Sequence, residues 1–307
     1  MSRFTLTLMS LFLVISIAAG QQTADPSYKP IVGESAFSPD NGPVIFIDEA
    51  HHNFHTAGGG YKPFADLLQA HHCTILPSRQ EITPEHLRNC DIFVIANALA
   101  ARNVQEWSLP VGEALAEAEI DALDHWVRGG GALFLIADHM PMPGAVARLA
   151  KRFGVTFSNG FAMFKGMRTR GLLFIRDNET LLNHWITDTK LDGVRVDSVV
   201  SFTGSAFRVE VSHRPLLIFG EDMVSLEPET AWEFTESTKR VNIEGWRQGA
   251  AFEHGKGRVV VFGEAAMFTA QYGGRGTIPV GMHTPEGVHN ARLLVNIIRW
   301  LAKRNVE

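Results

Sequence analysis

Four short runs of uninterrupted apolar residues limit what this chain can fold into. They are Val44-Ile45-Phe46-Ile47, Ile92-Phe93-Val94-Ile95, Ala132-Leu133-Phe134-Leu135-Ile136 and Val259-Val260-Val261-Phe262. A strand with one wet face alternates apolar and polar residues, whereas a run that is apolar at every position marks a strand covered on both faces. Between these runs the sequence turns helical. Pro63 opens a stretch through Phe64, Leu67 and Leu68, where a first-turn proline costs no hydrogen bond. Thr74-Ile75-Leu76 reads as a further short strand, and Thr83-Pro84-Glu85 as a helix start. Glu117 to Arg128 puts Ile120, Leu123 and Val127 on one face and is stopped by Gly129-Gly130-Gly131; Ala145 to Phe153 is the next helix. This alternation predicts an α/β fold, a doubly wound and mostly parallel sheet with helices on both faces.

The second half breaks the pattern. From about 161 to 250 short strand-like pieces take over, such as Leu172–Ile175 and Leu216–Phe219. They read as an elaborated β-rich segment with antiparallel strands attached to the sheet. Ala250 to Phe262 reads as a hairpin turning near Gly255. A last helix, 287–303, presents Leu294, Ile297, Ile298 and Leu301 to the core. The 307 residues then divide into a leader over 1–20, a polar linker over 21–42, and one α/β domain over 43–303.

The leader is read from Arg3, the apolar run Phe4–Ile17 and the small residues Ala18-Ala19-Gly20. That is the pattern of a cleaved secretory signal, too short for a membrane span of about 20 residues. The expected product is exported, periplasmic or secreted, with no membrane span after cleavage. A 45% hydrophobic content excludes a disordered chain, and a net charge of −5 gives no electrostatic footprint for nucleic acid, so no nucleic-acid partner is expected. Two cysteines cannot build a disulfide scaffold or a four-cysteine zinc site. Cys73 and Cys90 both precede strands, and either a disulfide or two buried thiols fits them.

Thirteen histidines remain to be sorted, and strand ends sort them. In open α/β sheets ligands bind beyond the carboxyl ends of the strands. The first strand ends in Asp48-Glu49-Ala50-His51-His52-Asn53-Phe54-His55, the third in Asn97, the fourth in Asp138-His139, and the Val259–Phe262 strand in Gly263-Glu264. Carboxylates and imidazoles brought together suit general acid–base catalysis, or a metal site in which a carboxylate fixes the ring. The candidate catalytic set is Asp48, Glu49, His55, Asp138, His139 and Glu264. His139 is the expected general base, oriented by Asp48 or Asp138, with Glu49 or Glu264 as the second acid–base group. His51, His55 and His139 are the candidate ligands of a divalent metal such as zinc, and His283 and His289 stand in reserve. The plainer reading is that these carboxylates cap helices and hold loops.

Several tempting motifs lack their partners. Val44 to His51 copies the magnesium-binding strand end of helicase ATPases, but no phosphate-binding G-x-x-x-x-G-K-[ST] loop accompanies it. His-Glu-x-x-His and the G-x-S-x-G nucleophile elbow are absent. Gly58-Gly59-Gly60 lacks dinucleotide-binding spacing and reads as a turn.

Asp48-Glu49-Ala50-His51, Ala137-Asp138-His139-Met140-Pro141, Gly263-Glu264-Ala265-Ala266-Met267-Phe268 and His289-Asn290-Ala291-Arg292-Leu293-Leu294 look like an uncharacterised bacterial group. That group resembles the class I glutamine amidotransferase-like superfamily, near the domains shared by gliding-motility and intraflagellar-transport proteins. The resemblance covers roughly 43–303 and implies a flavodoxin- or amidotransferase-like sheet. Amidotransferases place a cysteine on a strand-to-helix elbow; the matching Ala137-Asp138-His139 has none, so glutamine amidotransferase chemistry is not expected. Related non-catalytic domains are thought to bind carbohydrate. The expected function is a hydrolase-type enzyme acting on a carbohydrate or cell-envelope fragment. The alternative is a non-catalytic carbohydrate- or partner-binding module, with ligand surface from Phe54, Phe161, Phe164, Phe202, Phe207, Trp232 and Trp246.

Overall fold

The computed structural model describes residues 22–166, 171–273 and 276–303, so the expected leader lies outside the described residues. Its main sheet has nine strands. From one edge they run Thr74–Ser78, Val44–Asp48, Ile92–Ala96, Ala132–Ile136, Gly257–Phe262, Arg247–His254, Phe207–Val209 and Val155–Phe157, with Arg214–Ile218 also paired to Arg247–His254. The first five are mutually parallel. The rest extend the sheet by antiparallel pairing, which is where the elaborated second half attaches.

The apolar runs explain why the parallel half is covered on both sides. Along the first run Ile45 and Ile47 enter one core and Phe46 the other. The same alternation splits Val94 from Phe93 and Ile95, and Phe134 from Leu133 and Leu135. One core is closed by the Lys62–Ala70 and Val288–Leu301 helices through Leu67, Leu294 and Ile298. The other is closed by Glu117–Gly129 and Ala147–Arg152 through Leu123 and Leu149. Counted in chain order, the parallel strands lie 2-1-3-4-5 across the sheet. The connections leave in opposite directions between the first and third strands, Val44–Asp48 and Ile92–Ala96, which opens a crevice at their carboxyl ends.

Three expectations are adjusted. The single helix read over Ala145–Phe153 is two short ones, Met142–Ala145 and Ala147–Arg152. The helix start at Thr83 yields only a 3-10 turn over His86–Asn89. The segment read as a polar linker lies against the body: Thr23–Ala24 pairs with Ala270–Gly273, and Asp25 and Phe37 are buried. Smaller antiparallel sheets complete the segment, Lys239–Asn242 with Met223–Glu227 and Phe161–Phe164, and Leu172–Ile175 with Ser198–Ser201.

Candidate functional site

Strand parity divides the strand-end carboxylates into two groups. Asp48 follows Phe46 by two residues and so shares its side of the sheet, the side of the Glu117–Gly129 helix. There His51 Nδ1 lies 2.9 Å from both Asp48 carboxylate oxygens, and its Nε2 lies 3.0 Å from Glu119 Oε1. Asn53 donates to Asp48 at 3.0 Å, and Glu119 also accepts the Ile82 and Ala116 N–H groups. Burial alone pushes the His51 pKa down, but hydrogen bonds and charges from Asp48 and Glu119 outweigh it and hold the pKa above its ordinary value. His51 is thus an imidazolium clamped between two carboxylates, with no ring nitrogen left for a metal or a substrate. Glu49 lies apart as well: it accepts the Ala57 N–H at 2.9 Å and pairs with Arg79 at 2.9 Å.

Asp138 and Glu264 form the other group. Ile136 and Phe262 are register partners on adjacent parallel strands, and each carboxylate follows its partner by two residues. Continuing that register past the strand ends puts the two side by side. Their charges interact: burial, then the charge of Asp138, holds the Glu264 pKa well above its ordinary value, against the opposing N–H groups of Met267 and Ala266. Those N–H groups meet the two Glu264 oxygens at 2.8 and 2.9 Å. Asp138 Oδ1 accepts the His139 backbone N–H at 2.8 Å, and Oδ2 has no partner among the described residues.

His55 completes this floor. Asn97, held at φ +51°, accepts the Asp138 N–H at 2.9 Å and donates to His55 Nδ1 at 3.2 Å. His55 Nε2 therefore carries the ring proton, and it is buried without a hydrogen-bond partner. Burial pushes the His55 pKa down to about 4 against the nearby Asp138 charge and the Gln271 side chain, so the ring is neutral. Tyr61 lies 4.5 Å from it, ring to ring, and donates its hydroxyl to the Ala265 carbonyl at 3.1 Å.

Above the floor stands a wall of rings around His139. That imidazole stacks on Phe161 at 4.5 Å and 14°, meets Trp232 edge-on at 4.7 Å, and lies 5.8 Å from Trp107. Phe234 packs on Phe161, and Phe54 on Trp107. Its Nδ1 donates to the Met140 carbonyl at 2.8 Å, so no carboxylate orients the ring, contrary to the expected role for Asp48 or Asp138. Phe54 and Trp232 are 41% and 40% exposed, and Trp232 sits at φ +68°, a strained conformation for a bulky residue.

Of the residues read from sequence, the structure brings together His55, Asp138, His139 and Glu264. Asp48, Glu49 and His51 stand outside that cluster. The metal set of His51, His55 and His139 is not assembled: among the described residues no three His, Cys, Asp or Glu side chains group as a metal requires. The reserve histidines are engaged elsewhere, His283 with Asp25 and His289 with the Asp197 and Ser198 N–H groups. Cys73 and Cys90 are free buried thiols, and burial pushes each pKa up to about 12. Of the aromatic candidates, Phe54, Phe161 and Trp232 join the wall. Phe207 is core, Phe164 packs against the other core, and Trp246 stacks on Arg208. Sequence reasoning missed Trp107, Phe234 and Tyr61 and saw Asn97 only as a strand end; no sequence signal ties the first two to His139, because they lie in irregular segments.

No protein-family model and no curated relative matches the sequence. Solved structures do. The mmIFT52 N-terminal domain aligns at a TM-score of 0.60 with 15% identity, over 86% of this chain and 99% of that one. A ThuA-like protein from Bacteroides uniformis ATCC 8492 aligns at 0.46 with 12% identity, over 91% of this chain and 97% of the other. The β-galactosidase from Bacillus circulans sp. alkalophilus aligns at 0.46 with 8% identity, over 85% of this chain and 31% of the enzyme. The first likeness defines a fold shared with this chain.

Proposed function

We propose that this chain is an exported hydrolase-type protein acting on a carbohydrate, with Asp138, Glu264, His55 and His139 as its site. One observation carries the reading: Glu264, its pKa pushed up by burial and by the Asp138 charge, sits beside that second carboxylate and a neutral histidine under an aromatic wall. Buried like charges cost stability; Glu264 holds the Ala266 and Met267 N–H groups and Asp138 the His139 N–H, but neither role needs the two acids side by side. A raised pKa suits Glu264 to hold and release a proton, and the free Asp138 oxygen accepts from a hydroxyl or an attacking water. His55, neutral and buried, lies near the Asp138 charge. Sugar rings carry hydroxyls around a C–H face that packs on aromatic rings, here those of Phe54, Trp107 and Trp232.

The test is turnover on a panel of glycosides and cell-envelope glycans. Asp138→Asn and Glu264→Gln are expected to lower hydrolysis by about 10²-fold or more with folding retained. Full activity in both variants refutes the assignment. A second reading, a non-catalytic carbohydrate-binding module, is favoured by His139, whose Nδ1 is bonded to a carbonyl and which no carboxylate orients. Saturable glycan binding that Trp232→Ala weakens, with no hydrolysis by the unaltered protein, selects it.

A further inference from the structure

A cavity lies away from this site. It encloses about 700 Å3 between the 25–31 arm, the end of the Lys62–Ala70 helix, the 191–192 turn and the start of the Val288–Leu301 helix. Binding pockets for small molecules commonly fall in the range of about 300–1,000 Å3. Much of the wall is apolar, with Leu67, Leu191, Met282, Ala291 and Val295 among its residues.

The polar part of the wall sets two acids against two cations, and they differ in how far their hydrogen-bonding groups are used. Its acids are already engaged: Asp25 accepts from Ser27 and lies 2.9 Å from His283 Nδ1, and Asp192 accepts the Glu34 N–H. Its cations are not. Lys29 has no ion-pair or hydrogen-bond partner among the described residues, and Arg292 spends only its Nε–H, on the Leu191 carbonyl at 3.3 Å. His71 is a third donor. It is 2% exposed, and its Nδ1 accepts the Ala36 N–H at 3.1 Å, which leaves the proton on Nε2. That N–H has no partner among the described residues, and His71 lines the cavity.

We infer that this cavity binds an amphipathic monocarboxylate, with its hydrocarbon body on the apolar wall and its carboxylate at Lys29, His71 and Arg292. A neutral hydrocarbon leaves the buried His71 N–H and the half-buried Arg292 donors unpaired, with the exposed Lys29 beside them, and a small inorganic anion leaves the apolar wall wet. Only a ligand with both parts satisfies the whole surface.

The test uses the purified protein and decanoate in isothermal titration calorimetry, with decanol and acetate as controls. Decanoate is expected to bind saturably at one site, with decanol and acetate each at least about tenfold weaker. Arg292→Gln and Lys29→Gln should each weaken decanoate binding by about tenfold, and Ala291→Trp, which fills the cavity, should abolish it. His139→Ala should bind decanoate unchanged, which separates this cavity from the aromatic-walled site. Thermal unfolding confirms that each variant is folded. Absence of saturable decanoate binding, equal binding of decanol, or binding indifferent to both cation substitutions overturns the inference.

Discussion

Among single residues His51, a candidate metal ligand by sequence, is instead held between two carboxylates. Its two ring nitrogens face Asp48 and Glu119, and all three groups are buried. Removing the imidazolium leaves two buried carboxylates without their cation, a change that typically costs about 3–5 kcal/mol. His51→Gln is therefore expected to destabilise strongly in chemical denaturation while leaving the Asp138 side of the site in place. The pH dependence follows from the signs. The His51 pKa is raised, so its stabilising contribution is complete below its ordinary value of 6.5 and is lost as pH rises through the folded value. Burial works to raise the Glu119 pKa, but the Ile82 and Ala116 N–H groups and His51 bring it below 4.5. Its contribution is therefore complete above 4.5 and is lost as pH falls through the folded value. The gap between wild type and His51→Gln should thus be widest between 4.5 and 6.5 and narrow at alkaline pH. A constant gap over roughly pH 5 to 9 would make His51 a neutral spacer.

Among the elements, what the sequence reveals depends on whether local pattern or distant pairing decides. Runs such as Ile92–Ile95 are legible because burial on both faces leaves no polar position, and the strand ends then point to the site. Parity even separates Asp48 from Asp138 and Glu264, but only once the two cores are assigned to the two faces. The register that sets Asp138 beside Glu264 depends on strands more than a hundred residues apart, and no local pattern encodes it. The aromatic wall is less legible still: Trp107 and Trp232 come to Phe161 on irregular segments joined through the Ser108–Thr230 bridge and the Ala231 N–H to Trp107 carbonyl bond. Glycines make the contacts between elements testable. A Cβ on Gly257 would meet the Val127 and Gly131 carbonyl oxygens at 2.0 and 2.3 Å, and backbone cannot swing aside as a side chain can. Gly129, nearby at the end of the Glu117–Gly129 helix, has nothing within 4 Å of its Cβ position. Gly257→Ala should destabilise by about 1–3 kcal/mol or more, and Gly129→Ala should be neutral or stabilising by up to about 1 kcal/mol. Thermal midpoints of the two variants check this; equal shifts would mean the helix end is free to move.

For the molecule as a whole, the 2-1-3-4-5 order sets the opening at the strand carboxyl ends, and two residues, Glu264 buried beyond one of those ends and His184 against Trp300 at the far end of the last helix, carry opposite pH signatures. Burial, then the Asp138 charge, raises the pKa of Glu264 well above 4.5, so the native state holds a proton that the unfolded chain has released. Its contribution to stability therefore falls as pH rises from 4.5 to the folded value. His184 behaves in the other sense: burial lowers its pKa to about 4 against the charge of Asp188, so the unfolded chain binds the extra proton. Its contribution falls as pH drops from 6.5 to about 4. His55 adds to that acid sensitivity from within the site. Glutamine does not titrate, so substituting it removes each effect separately. Relative to wild type, Glu264→Gln should gain stability steadily as pH rises above 4.5, whereas His184→Gln should gain as pH falls below 6.5. Unfolding free energies measured against pH for the three proteins give two difference curves of opposite slope. If the Glu264→Gln curve is flat, Glu264 titrates as an ordinary carboxylate, and the protonated acid on which the proposed hydrolysis depends is not there.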